Sequence, residues 1–519
     1  MKQALNYLAE KSGNELSQHA LYQWIGEQHD LIPQRKLDSA IPIVHFILTF
    51  PYYNNLYLFC AKTKGSLATL INAHAIEDAS HARLFIEDMK QFALDKVWGL
   101  EHVSDWLWVI WSAPSLKPAR HIGNERIRSL LASADNLYLK YLHIEQIEND
   151  GHYLFSAFSE AATAILRENS CELKYFGRYH LARESGHVAL DDESTLAFHP
   201  TLLKQAKQLI DKKHQLSMAM NDLMYDFAKD NQGAAKPGLC FQEERINSVH
   251  KIEHALKLYE KATIPDLNWT ISPTQENCDA TLYARWQHQH VRFLNHSLFD
   301  HIINTEDDIE YTLRTVLVYF ANRMLSLNAF NLFVLESDEN DDFSIAFRKI
   351  RNMFATHYEA FFYDWQQLDI DNQLNVSIPE YIELMFADKE HAEHEMQTIH
   401  EFSRQGNQIA QTKALKLWCY LALNCMAAAF TKATKVLAEK YYQRHGTRLA
   451  YLSGILHLSY GEVDSDWNND EKIATLYAIA LSDEEKNLVV NMMDTLCDLG
   501  IKHWDLVAGL LKERRSLFA

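Results

Sequence analysis

Apolar residues along this chain recur mostly at i, i+3 and i+4, as in Leu417, Tyr420, Leu421 and Cys425, and stretches of alternating β-branched residues are scarce. That period lays one apolar stripe along an α-helix, whereas a half-buried strand alternates. The pattern predicts an all-α fold. Turn formers agree, since the 519 residues include only 16 glycines and 10 prolines, far below the usual ~7% and ~5%. The longest nearly uncharged stretch, Leu415 to Phe430, contains Lys416 and Asn424 and falls short of the ~20 apolar residues a bilayer span needs. It reads as a buried core helix.

A length of 519 residues allows two to four domains at ~150 residues each. Turn-forming stretches at Lys229–Gly238 and Ala262–Pro273 bracket a helical piece, Glu243–Lys261. They predict a first bundle over 1–230, a helical linker over 231–289 and a second bundle over 290–519. The second half resembles the first in four ordered matches. His19-Ala-Leu-Tyr pairs with His296-Ser-Leu-Phe, Asn54–Phe59 with Asn328–Phe333, His81–Asp88 with His357–Asp364, and Glu172–Phe176 with Ala414–Trp418. Order is stronger evidence of duplication than any one short match. On this register the first half holds an insertion of about 35 residues near Val97–Leu131. Its Trp98, Trp106, Trp108 and Trp111 read as packing rather than as a substrate lid.

A formal net charge of −19 excludes a nucleic-acid or anionic-membrane surface, because phosphate binding needs clustered Lys and Arg. The seven cysteines form no CxxC pair and no even framework, as expected of reduced thiols in a cytoplasmic protein. No apolar signal segment is evident in the first residues.

Chemistry enters with Tyr179-His180-Leu-Ala-Arg-Glu184-Ser-Gly-His187. Positions i, i+4 and i+7 lie one above another on a helix, so His180, Glu184 and His187 form a ligand stripe. A second stripe is Ile71-Asn-Ala-His74-Ala-Ile-Glu77-Asp78-Ala-Ser-His81, and a third helix offers Glu148, with Glu145 one turn earlier. Carboxylates and histidines projecting inward from several helices suit two metal ions better than one. In the second half Ile350, Met353 and Phe354 stand opposite His74, Glu77 and Asp78, and Ala422, Met426 and Ala429 opposite His180, Glu184 and His187. The copy is expected to be degenerate. Asp388-Lys-Glu390-His391-Ala-Glu-His394 reads as a charged exposed helix, because no partner stripe accompanies it.

The set His74/Glu77/Asp78/His81, Glu148 and His180-x3-Glu184-x2-His187 in a helical chain resembles the haem-oxygenase-like diiron oxidases and oxygenases. The resemblance covers residues 15–230 by motif and 290–519 by architecture. It implies two ferrous ions, O2 as co-substrate and oxidation of a small amine, amino acid or carboxylate, with an external electron donor and a homodimer in view. Glu184 stands where the family usually has Asp, and His74 where it commonly has Glu. Among the first stripe the preference runs Glu77, Asp78, His74. Arg126 and Arg128, or Lys and Arg elsewhere in the first half, are candidates to clamp a substrate carboxylate, and the sequence does not choose among them. Two other readings stay open: a scaffold without activity, and a thiaminase-like hydrolase, which needs a cysteine nucleophile for which Cys60 and Cys171 lack an adjacent base at recognisable spacing.

Overall fold

The computed structural model describes residues 2–26, 32–60, 65–133, 136–184, 200–261, 278–321, 357–386, 413–455, 458–459, 462–463 and 481–513. The fold is all-α. Among the described residues the only β structure is a two-residue antiparallel pair, Leu458–Ser459 with Glu462–Val463. The chain divides into two compact units, 1–243 with 377–391, and 244–376 with 392–519. The expected linker is thus split at residue 243. Its helix Cys240–Lys261 sends Ile252, Ala255 and Leu256 into the core of the second unit. Residues 377–391, by contrast, belong with the first unit.

Two long helices frame the first unit, Leu137–Asn169 and Pro200–Asp230. The former starts at Asn136, whose side chain accepts from the N–H of Tyr138 and Leu139 (3.0 and 3.3 Å), satisfying two of the donors a helix start leaves over. It stops at Ser170, in the left-handed region at φ 54°. The four-tryptophan segment packs a core. Trp98 and Trp106 lie 6.2 and 6.3 Å from Phe85, and 5.7 Å from each other. Trp98, Trp106 and Trp108 are among the largest fully buried side chains, each contributing on the order of 3 kcal/mol by burial. Helix Ile378–Phe386 packs beside them. It opens on a capping box in which Ser377 N–H donates to Glu380 Oε2 (2.9 Å) and Glu380 N–H donates back to Ser377 Oγ (3.4 Å).

Several devices recur in both units. Asp88 accepts from the backbone N–H of Lys174, Tyr175 and Phe176 (2.6, 2.9 and 3.2 Å). Asp364 accepts from Ala450 and Leu452 (2.6 and 2.8 Å), and the first donor follows the acceptor by 86 residues in each case. Tyr175 meets Phe85 edge-on at 5.5 Å as Tyr451 meets Phe361 at 5.9 Å. Helices 137–169 and 413–445 each have 33 residues, and 200–230 and 483–513 each have 31. His19 reaches Asp222 and His296 reaches Asp505, both at 3.1 Å.

These devices correct the sequence register. Aligned on these contacts, Glu172–Phe176 falls opposite Arg448–Leu452, not Ala414–Trp418, which falls in the helix aligned with 137–169. The expected insertion disappears with that shift, since 88–174 and 364–450 are equally long. Glu148 now stands opposite Asn424, and His180 opposite Leu456, which lies outside the described residues.

Candidate metal centre

The expected single stripe from His74 to His81 is divided between two helices. Ser66–Asp78 ends at Asp78, Ala79 and Ser80 make a tight turn, and His81 opens the helix His81–Phe92. The break leaves His74 and Asp78 one turn apart on the first helix and carries His81 round to a new direction.

His74, Asp78 and Glu148 converge, with a ligand atom from each within 4.8 Å of the others. His74 Nε2 lies 2.8 Å from Asp78 Oδ2 and 3.2 Å from Glu148 Oε1. The other oxygen of Asp78, Oδ1, is 3.8 Å from His81 Nε2, and His81 Nδ1 is 3.2 Å from His180 Nε2. All five residues are buried. Burial alone pulls the imidazole of His74 down, but its hydrogen bonds to Asp78 and Glu148 prevail and raise it to about 10. Two buried carboxylates thus draw a positive charge to their midst, the place a divalent cation takes among such donors. The donor set fits metal binding.

The remaining candidates stand apart. Glu77 Oε1 accepts from Arg183 Nη2 at 3.0 Å, and its side chain is 38 % exposed against 2 % for Asp78. The geometry therefore favours Asp78 and His74 over Glu77, opposite to the order drawn from sequence. Glu184 ends the helix Arg178–Glu184, its side chain not being among those described. His187 and the Asp388–His394 cluster lie outside the described residues. Glu145 is buried on the helix of Glu148.

A cavity opens beside the centre, lined by Asp78, His81, Glu148 and His180 and by apolar Ile43, Ile47, Phe50, Ile147, Leu154 and Phe155. Its rings flank the histidines, Phe50 at 6.3 Å from His81 and Phe155 at 4.0 Å from His180. Arg126 also lines it, bonded to Ser217 Oγ (2.8 Å) and, more loosely, to Asp150 Oδ2 (3.4 Å). Arg128 is instead paired with Glu125. Neither Cys60 nor Cys171 lines the cavity.

Sequence reasoning missed Asp150, Ser217, Asn221 and Tyr22. A signal existed on helix 200–230, where the buried stripe Ala206, Ile210, Met220 and Met224 is interrupted by Lys213 and Ser217. Lys213 Nζ is buried with no hydrogen-bond partner among the described residues, and burial holds its amine well below the usual range. Among the described residues no helix is long and apolar enough to cross a membrane. No protein-family model matches the chain, and no curated protein matches it either.

Proposed function

We propose that the first unit is a non-haem diiron oxidoreductase of the haem-oxygenase-like kind, using O2 to oxidise a small amine, amino acid or carboxylate. The observation that carries this reading is the buried meeting of His74, Asp78 and Glu148 with His81 and His180 beside it. Asp78 turns one oxygen toward His74 and the other toward His81 Nε2, so His74, Asp78 and Glu148, with His81 and His180 beside them, are the residues that would hold the metal. Iron bound there would supply the O2 and electron-transfer chemistry that side chains lack.

The chain's own residues prepare the site. Tyr175 O accepts from His180 Nδ1 (2.9 Å), which fixes the ring and leaves Nε2 facing His81. Phe50 and Phe155 exclude water from the histidines, and Arg183 draws Glu77 aside. At the positions of His74, Glu77 and Asp78 the second half carries Ile350, Met353 and Phe354, so we read the second unit as a non-catalytic companion.

The test is anaerobic titration of the chelator-treated full chain with ferrous ion, followed by O2 uptake at an electrode. Two ions per chain and O2 consumption are expected. A single tightly held zinc, or no uptake, overturns the reading.

A further inference from the structure

The second unit offers an internal comparison that separates what the fold needs from what the site needs. Asp88 and Asp364, and His19 and His296, are kept in both units with the same partners. At one end of the cavity lies a polar cluster that the second unit lacks. On the corrected register, Tyr22, Asp150, Ser217 and Asn221 stand opposite Phe299, Met426, Gly500 and Trp504. Trp504 is a core side chain there, packed 5.4 Å from Phe293. The cluster is therefore dispensable to the architecture, and it is lost together with His74 and Asp78.

Its own chemistry points to a ligand. Arg126 is 9 % exposed, and its Nε has no hydrogen-bond partner among the described residues. Asp150 Oδ1 is likewise buried without one, while Oδ2 is held by Ser217 and Arg126. A cation and an anion side by side on a shared cavity, each with a buried atom that has no partner among the described residues, match a group that both accepts and donates. Helix 137–169 sets this end apart from the metal donors. At 100° per residue, Glu148 and Phe155 leave the helix on one side of the stripe Ile147, Gly151 and Leu154, and Asp150 leaves on the other. Helix Val44–Tyr52 places Phe46 under Arg126 and, one turn on, Phe50 against His81, with their ring centroids 5.2 Å apart.

We infer that Arg126 and Asp150 form a head-group subsite for a zwitterion with an apolar body, its carboxylate on Arg126 and its ammonium on Asp150. The carbon skeleton, not the amine, then faces His81 and His180. Only the oxidation of the bound zwitterion rests on the diiron reading. The subsite itself is testable without metal.

The probes are phenylalanine, 3-phenylpropanoate and phenethylamine, titrated calorimetrically into the chelator-treated full chain. Phenylalanine should bind at least about tenfold more tightly than either analogue, each of which offers a new partner to only one of Arg126 and Asp150. Arg126→Met should weaken phenylalanine by about tenfold or more, whereas Arg128→Met, which breaks the pair with Glu125 at a position that does not line the cavity, should not. Asp150→Asn keeps the shape and should erase the preference for phenylalanine over 3-phenylpropanoate, a result readable even if Arg126→Met fails to fold. Equal binding of the three probes, or no binding by any, overturns the subsite. Loss of ferrous uptake with phenylalanine still bound overturns the diiron reading alone.

Discussion

His180 Nε2 faces His81 Nδ1 across 3.2 Å, although 99 residues separate them in the chain. Nδ1 of His180 is committed to the Tyr175 carbonyl, so the nitrogen facing His81 is the one with a lone pair. Two imidazole nitrogens at this spacing suit a shared proton, and equally two ligands each about 2.1 Å from one ion. Asp78 links this pair to His74 and Glu148. On the proposed diiron reading, Asp78→Asn should cost the full chain at least one ion, measured as metal per chain after ferrous loading and desalting. Glu77→Gln, altering a side chain held by Arg183, should retain both. Equal losses from the two would count against Asp78 as a metal ligand.

Asp88 acts on that pair from a distance. By fixing the N–H groups of Lys174, Tyr175 and Phe176 it sets the turn whose carbonyl orients His180. Asp88→Ala leaves three backbone donors without an acceptor, two of them buried and that of Lys174 half-buried, a loss of roughly 3 kcal/mol, and should lower ferrous affinity by about tenfold or more. Asp364→Ala breaks the same clamp in the second unit and should cost similar stability by denaturant unfolding while sparing metal affinity. If both variants weaken metal binding alike, Asp88 stabilises without positioning.

Both clamps also titrate. Burial raises Asp88 and Asp364 to about 7 from an ordinary 3.8, against the pull of their backbone hydrogen bonds. A carboxyl whose folded value exceeds its unfolded one binds a proton on folding, so stability falls as pH rises from about 4 to about 7 and is level above. Each group contributes at most about 4 kcal/mol to that fall. The stability difference between wild type and Asp364→Asn should shift against wild type between pH 4.5 and 7.5 in urea unfolding. A difference constant with pH would mean that the carboxyl does not change state there.

The all-α class was legible because the apolar period of 3.6 runs through the whole chain. His74 and Asp78 could be read as a pair because i and i+4 share one helix face, whereas Glu148 and His180 come from other helices and spacing says nothing of their distance from that pair. The turn at Ala79–Ser80 was not legible, since both residues keep helical dihedrals and neither is Gly or Pro. That turn is what carries His81 off the line of His74 and Asp78. The register of the second half was misjudged because its decisive bonds run from a carboxylate to backbone N–H groups, which carry no residue signature. Only Leu173 and Tyr175 recur among the five residues of that turn, as Leu449 and Tyr451. The head-group cluster gathers side chains from helices 20–26, 117–132, 137–169 and 200–230, and no local spacing relates them.

The tryptophans give a last prediction that divides packing from function. Trp106 is fully buried, donates Nε1–H to the Leu100 carbonyl (2.9 Å), and stands against Phe85 and Trp98. It lines no part of the cavity. Trp106→Phe keeps most of the ring volume and should cost about 1–3 kcal/mol, from the lost hydrogen bond and a small void. Trp106→Ala should cost roughly 3–5 kcal/mol. Phenylalanine affinity, measured at a temperature where Trp106→Phe is still fully folded, should match wild type. A lid would behave otherwise: affinity would fall in Trp106→Phe with little change in the urea midpoint, and that pattern would move these residues from the core to the substrate.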